Sequence, residues 1–123
     1  MFLQSISVMR GCSVFFNLLN SKHMFLFIIT FTKPISEIEK YAEAHFEFLD
    51  HYYATGNFLV SGKQNPWTGG AIICMAGDRQ QAEEIAAKDP FLIHDVVRYD
   101  IIELEATKWA EKFAPFVEAN STL

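Results

Sequence analysis

Residues 24–32, MFLFIITFT, are apolar at every position except the two threonines. A strand with one solvent-facing side alternates apolar and polar residues, whereas an unbroken apolar run rich in Phe and Ile is typical of a strand buried on both faces. The pattern therefore predicts a central strand, and Pro34 ends it.

The residues after this strand predict a helix from Glu37 to Thr55. Ser36 can accept a hydrogen bond from the first turn, and Glu39 stands three residues later, as in a capping box. Gly56 follows the helix and can supply the left-handed residue that ends it.

The rest of the chain predicts a hairpin, a second helix and a last strand. The hairpin consists of a strand at residues 58–61, a loop at 62–69 and a second buried strand at 71–76. Asp78 and Gln81 predict the start of a helix that runs through Lys88 until Pro90 stops it, and residues 96–105 predict the last strand.

The element order is therefore β-α-β-β-α-β, an α+β, ferredoxin-like arrangement with both helices on one face of an antiparallel sheet. The second face of this sheet is also apolar, so we expect another copy to cover it in a homodimer. A tail at residues 107–123 places Trp109, Phe113, Phe116 and Val117 at helical spacing, with Pro115 as a disruption.

Composition and charge exclude several classes of partner. The 123 residues allow one domain, the net charge is -5, and Lys and Arg are nowhere clustered, so we expect neither nucleic acid nor membrane as a partner. Cys12 and Cys74 lack zinc-site spacing, which favours reduced thiols and a cytoplasmic location.

The first 23 residues differ from the rest because they contain Arg10 and Lys22 but no acidic residue. We interpret residues 1–23 as a poorly ordered upstream extension, or the product of a misplaced start, and residues 24–123 as the single domain. The less favoured alternative is weak export or membrane association.

His45 is the main candidate for a functional residue. At 100° per residue it shares one arc of the first helix with Ile38, Ala42, Leu49 and Tyr52, so its imidazole faces the core. The alternative is a core histidine that makes a single structural hydrogen bond.

Asp89 is predicted to face the same interior because it continues the stripe of Ala82, Ile85 and Ala86 along the second helix. A carboxylate beside a histidine fixes the tautomer of the imidazole and stabilises its protonated form, as general acid–base catalysis requires. The alternative for Asp89 is a local hydrogen bond at a helix end.

Five further residues are predicted to contact a substrate or to form a wall of its pocket. Ser61 could donate a hydrogen bond, Gly62 lets a ligand approach the backbone, and Phe91 is a pocket wall, as is Tyr99. Trp67 is interpreted equally as a flap over the substrate or as part of the dimer contact. We predict no metal site, because His45 and Asp89 alone provide too few ligands.

Three sequence elements together resemble the YciI-like family over residues 24–105. They are Ala44, His45 and Leu49 on the first helix, the stretch from Gly56 to Gly62, and the group Ala87, Asp89, Pro90 and Phe91. The resemblance implies a dimeric α/β barrel with an active site around His45 and Asp89.

Members of this family include a dehydrochlorinase of chlorinated hydroxyquinols, and the barrel superfamily includes muconolactone isomerases and haem-binding proteins. Two departures concern charge. Residues 40–43 lack the Arg that many members carry before the histidine, and Lys63 stands where a Pro often follows the glycine.

The combined prediction is a small dimeric enzyme in which His45 and Asp89 perform acid–base chemistry without a cofactor. The reaction would be the elimination or isomerisation of a small cyclic organic substrate, as in a lyase or isomerase. The alternative is a non-catalytic ligand-binding or regulatory dimer. A third hypothesis is an accessory subunit that recruits a partner through the apolar tail at residues 109–117.

Overall fold

The computed structural model describes residues 22–117, which form one four-stranded sheet and a set of helices. The strands are β1 (His23–Phe31), β2 (Phe58–Lys63), β3 (Gly69–Ala76) and β4 (Val97–Leu104). The helices are α1 (Ile35–Glu39), α2 (Ala42–Ala54), α3 (Arg79–Ala86), α4 (Pro90–Ile93) and α5 (Ala114–Val117), with a 3-10 turn at Glu111–Phe113 before α5.

The sheet has the strand order β2-β3-β1-β4 and is antiparallel throughout. β1 lies between β3 and β4, and Phe25 and Phe27 in it are fully buried, which confirms the prediction of a central strand. The main core lies between the sheet and α1 to α4, so the ferredoxin-like α+β fold is also confirmed.

The predicted helix from Glu37 to Thr55 is two helices, and its predicted capping box does not form. Pro34 occupies the N-cap of α1 without a side-chain hydrogen bond. The helix is interrupted after Glu39, and α2 begins at Ala42. The prediction for Gly56 is confirmed, because its φ of +85° is the left-handed conformation that follows α2.

The second predicted helix begins as expected but ends early. The Asp78 side chain accepts a hydrogen bond from the Gln81 N–H at 2.8 Å, as an N-cap does. α3 ends at Ala86 rather than Lys88, and Pro90 begins α4 instead of only stopping a helix. Proline is well suited to this position because its fixed φ and missing N–H cost nothing in a first turn.

The C-terminal segment covers part of the sheet face opposite the main helices. Val117 is buried with Met24 and Met75, and Trp109 and Phe113 pack against this second cluster. Up to Val117, where the described part of the chain ends, the predicted helical tail consists of a 3-10 turn and one α-helical turn. The remainder of this face is open. Val60, Ile102 and Leu104 on it are each about half exposed, and Arg98 and Asp100 form an exposed ion pair on the same face of β4.

Most of the predicted N-terminal extension, and the last six residues of the predicted tail, lie outside the described residues. No helix within residues 22–117 combines the length and the apolar character needed to cross a bilayer.

Candidate functional site

α2 places His45 between the sheet and α4. Its backbone N–H donates to the Tyr41 carbonyl at 2.9 Å, which begins the helical hydrogen bonding of α2. Its side chain is 12% exposed, and the imidazole stacks on the Phe91 ring with centroids 4.1 Å apart and planes 12° apart. The imidazole is thus held in one orientation while part of it stays accessible.

Asp89 lies at the N-cap of α4, and its side chain is completely buried. Its backbone is extended, with φ −68° and ψ 122°, because the following proline disfavours the helical region. From there the carboxylate accepts a hydrogen bond from the Phe91 N–H at 2.9 Å and another from His45 Nδ1 at 2.8 Å. Asp89 therefore makes both the local cap and the contact with His45, which the sequence presented as alternatives.

The hydrogen bond from His45 to Asp89 fixes the tautomer of the neutral imidazole. An ionised carboxylate can only accept, so Nδ1 must carry the proton and donate it. Nε2 then holds the free lone pair, and no protein group within residues 22–117 is hydrogen-bonded to it. Nε2 is accordingly the nitrogen that can exchange a proton with a ligand.

Tyr99 is a third member of the site, and sequence reasoning assigned it only to the pocket wall. Its hydroxyl donates to Oδ2 of Asp89, the carboxylate oxygen that His45 does not use. Burial raises the pKa of Tyr99, and the neighbouring Asp89 raises this pKa further by its charge and its hydrogen bond. The phenol therefore remains a protonated donor.

One feature of the sequence indicates that Tyr99 is a hydrogen-bond donor in the core. Tyr99 lies on the same face of β4 as the buried Val97, and a tyrosine on a core-facing strand position usually needs a hydrogen-bond partner.

A cavity of about 260 Å³ opens beside His45. Its walls are mainly apolar, and they include Ile29, Phe31, Ile38, Phe46 and Phe91. A small concave site with one convergent acid–base group is the arrangement expected of a binding pocket for a small organic molecule. His45, Gly62, Trp67 and Phe91, all predicted from the sequence, line this single cavity.

Trp67 lies in the wall of this cavity, on a loop that is hydrogen-bonded to the sheet. The Gln64 side-chain amide donates to the carbonyls of Ile29 at 3.1 Å and Gly70 at 3.0 Å, and the Phe31 N–H donates to the Thr68 carbonyl at 2.9 Å. These bonds attach both ends of the loop to the sheet. The Trp67 ring packs edge-on against the Phe31 ring, with the ring centroids 5.5 Å apart.

Ser61, like Tyr99, is a predicted site residue that does not line the cavity. Its hydroxyl is hydrogen-bonded to the Tyr53 hydroxyl at 2.7 Å, at an exposed position along β2. Its neighbours Gly62 and Lys63 line the cavity instead. Within residues 22–117, no group of three or more His, Cys, Asp or Glu side chains converges as metal ligands would.

The comparisons with known proteins place the chain in a family. A family model described as the YCII-related domain matches residues 24–105, which include every strand except the first residue of β1. No curated protein and no solved structure gives a significant match. The match covers most of the chain and contains both His45 and Asp89, so the chain belongs to the YCII-related domain family.

Proposed function

We propose that this protein is a small acid–base enzyme that eliminates or isomerises a small cyclic organic substrate. The observation that carries the proposal is the hydrogen bond of 2.8 Å between the buried Asp89 carboxylate and His45, in the wall of an apolar cavity. The imidazole, oriented through Nδ1, has Nε2 left for the substrate.

The proposed reaction needs only proton transfer. Nε2 of His45 takes a proton from a carbon of the bound ring, and the electron pair of the broken C–H bond forms a new double bond. In an elimination, a leaving group on the adjacent carbon departs with its bonding pair. In an isomerisation, an existing double bond shifts, and the imidazolium returns the proton to a different carbon. Both versions balance without a redox cofactor.

Asp89 and Tyr99 are proposed to support this step without touching the substrate. When His45 gains a proton, the adjacent carboxylate stabilises the imidazolium charge, as in other carboxylate–histidine pairs. Tyr99 and the Phe91 N–H hold the two carboxylate oxygens in place, so Asp89 need not reorganise when the charge forms. Asp89 and Tyr99 are therefore positioning residues.

The proposal is tested by proton exchange, which does not require the natural substrate. The full chain is incubated in D₂O with chlorinated hydroxyquinols and with unsaturated lactones, and NMR follows deuterium incorporation and product formation. We expect exchange or turnover with wild type and its loss in His45→Gln. His51→Gln, which changes an exposed histidine of the same helix, is the matched control. Exchange that persists in His45→Gln would contradict the proposal, and binding without exchange would favour a non-catalytic ligand-binding module.

We also propose that two copies form a homodimer through the open faces of their sheets. Support comes from Val60, Ile102 and Leu104, which leave a patch of exposed aliphatic side chains beside the C-terminal segment. Sedimentation should give a dimer for wild type and a monomer for Ile102→Glu. A monomeric wild type, or a dimeric Ile102→Glu, would rule out this interface.

A reducing cytoplasm remains the proposed location. Cys74 is a free, fully buried thiol, and burial raises its pKa to about 12, so it is inert rather than poised for oxidation.

A further inference from the structure

The cavity beside His45 carries one permanent positive charge. Its lining contains three ionisable side chains, which are Glu39, His45 and Lys63. Lys63 is the last residue of β2, and its ammonium group lies over the Trp67 ring, 4.4 Å from the ring centroid. A cation over an indole face is attracted by the electron density of the ring, so this contact holds the ammonium group at the cavity.

Lys63 forms no ion pair with any residue in the described part of the chain. Lys40, Arg79 and Arg98 each lie within 3.4 Å of a carboxylate oxygen. Lys63 has no carboxylate within 4.0 Å among residues 22–117, and it is the one cationic side chain of that range in the cavity lining. Lys63 can therefore attract an anion from solution into the cavity, although the chain as a whole has a net charge of -5.

The remaining walls determine the shape of the anion. Phe31, Phe46 and Phe91 offer aromatic surface, and the volume of about 260 Å³ is below the range of roughly 300 to 1,000 Å³ typical of drug-sized ligands. A single planar ring suits such a space, whereas a small hydrated anion would leave the apolar walls in contact with water.

We propose that Lys63 makes this cavity selective for a small planar ring that carries a carboxylate. The ammonium group binds the carboxylate, the aromatic walls bind the ring, and another edge of the ring is left for Nε2 of His45, which lies on a different element. This inference rests on the proposed function, because it assigns the substrate class of that same site.

Glu39 opposes this selectivity and provides a second test. Its carboxylate lines the same cavity and is not paired with Lys63. A bound carboxylate is repelled by it, so removal of this charge should increase the affinity for anions without affecting a neutral ring.

The experiment compares an anion with its neutral analogue. The full chain is titrated with 4-fluorobenzoate and with 4-fluorobenzamide, and fluorine NMR gives the dissociation constants. We expect wild type to bind the benzoate about tenfold more tightly than the benzamide. Lys63→Met, which keeps an apolar stem of similar length, should remove this preference. Lys108→Met, an exposed lysine in the C-terminal segment, should keep it, and Glu39→Gln should strengthen it.

The inference is overturned if wild type shows no preference for the benzoate, binds neither compound, or keeps its preference in Lys63→Met. Its failure can be told apart from failure of the proposed function. A preference that depends on Lys63, without proton exchange on any substrate, would contradict only the catalytic proposal. Exchange that requires His45, without a preference for anions, would contradict only the role of Lys63.

Discussion

The starts of α3 and α4 use the same local device in two different surroundings. Asp78 and Asp89 both occupy an N-cap, both have extended backbones, and each accepts a hydrogen bond from a backbone N–H of its own helix. Asp78 is exposed and its hydrogen bond to Gln81 is purely local, whereas Asp89 is fully buried and also binds His45 and Tyr99. A common helix cap thus becomes the centre of a site when two donors from distant elements converge on it.

The two caps should differ most when each carboxylate is removed in turn. Asp89→Ala leaves the Phe91 N–H, the imidazole N–H and the Tyr99 hydroxyl without their acceptor in the core, and we expect a loss of about 3 to 5 kcal/mol in the free energy of unfolding. Asp78→Ala removes an exposed cap and should cost about 1 kcal/mol. Urea denaturation measures both.

Asp89→Asn keeps the volume and one acceptor oxygen, so its stability should lie between that of wild type and that of Asp89→Ala. It also supplies the measurement if the alanine variant does not fold. Equal losses for the substitutions at Asp78 and Asp89 would mean that the contacts with His45 and Tyr99 add nothing to the cap.

Removal of a single donor to Asp89 should have a smaller effect on stability. Tyr99→Phe leaves Oδ2 of the buried carboxylate without its partner, and we expect a loss of about 1 to 3 kcal/mol in stability. Tyr53→Phe is the matched control, because it removes a hydroxyl whose hydrogen bond to Ser61 is exposed, and it should change stability by less than about 0.5 kcal/mol. A Tyr99→Phe variant as stable as Tyr53→Phe would show that Oδ2 needs no donor.

The stability of the protein at alkaline pH should depend on the proton of the Tyr99 hydroxyl. The folded state raises the pKa of Tyr99 above its ordinary value of 10.0, so the unfolded chain loses this proton first and stability falls as the pH rises beyond that value. Cys74 acts in the same direction from its ordinary value of 9.0. Between about pH 9 and about pH 11, Tyr99→Phe should lose about 1 kcal/mol less stability than Tyr53→Phe does. Identical pH profiles for the two variants would contradict this assignment.

The smallest effect is expected at the exposed cap. Gln81 accepts a hydrogen bond from the Gly77 N–H at 2.6 Å with its side-chain oxygen, completing the start of α3 at the surface. Gln81→Ala should lower stability by less than about 0.5 kcal/mol, since water can replace this acceptor, and thermal unfolding can measure the change. A loss comparable to that of Tyr99→Phe would mean that exposure does not distinguish the two helix starts.

The order of strands and helices could be predicted from the sequence because it depends on strong local signals. The apolar run of β1, the cap at Asp78 and the left-handed Gly56 each determine structure within a few residues. The break between α1 and α2 was missed, because residues 39–42 contain neither Gly nor Pro and the interruption depends on tertiary packing.

The inward position of Asp89 was predicted from an incorrect helix boundary. Asp89 was placed inward by helical periodicity along a helix that ends before it, and the structure orients it from the N-cap of α4 instead. The contacts of Tyr99 and Lys63 depend on how β4 and β2 approach the helices, and a sequence pattern does not contain these distances. Ser61 was assigned by its position at a strand end, but its hydroxyl meets Tyr53.

The shortness of α4 links the local fold to the chemistry. A helix of four residues is far too short to be stable alone, so α4 must be held by its cap, by the stack of Phe91 on His45 and by the stack of His94 on Tyr41. The Phe91 N–H and His45 Nδ1 both donate to Oδ1 of Asp89, so an opening of α4 that displaces this oxygen breaks both hydrogen bonds. The hydrogen-exchange rate of the Phe91 amide would therefore report how often this part of the site opens and reforms.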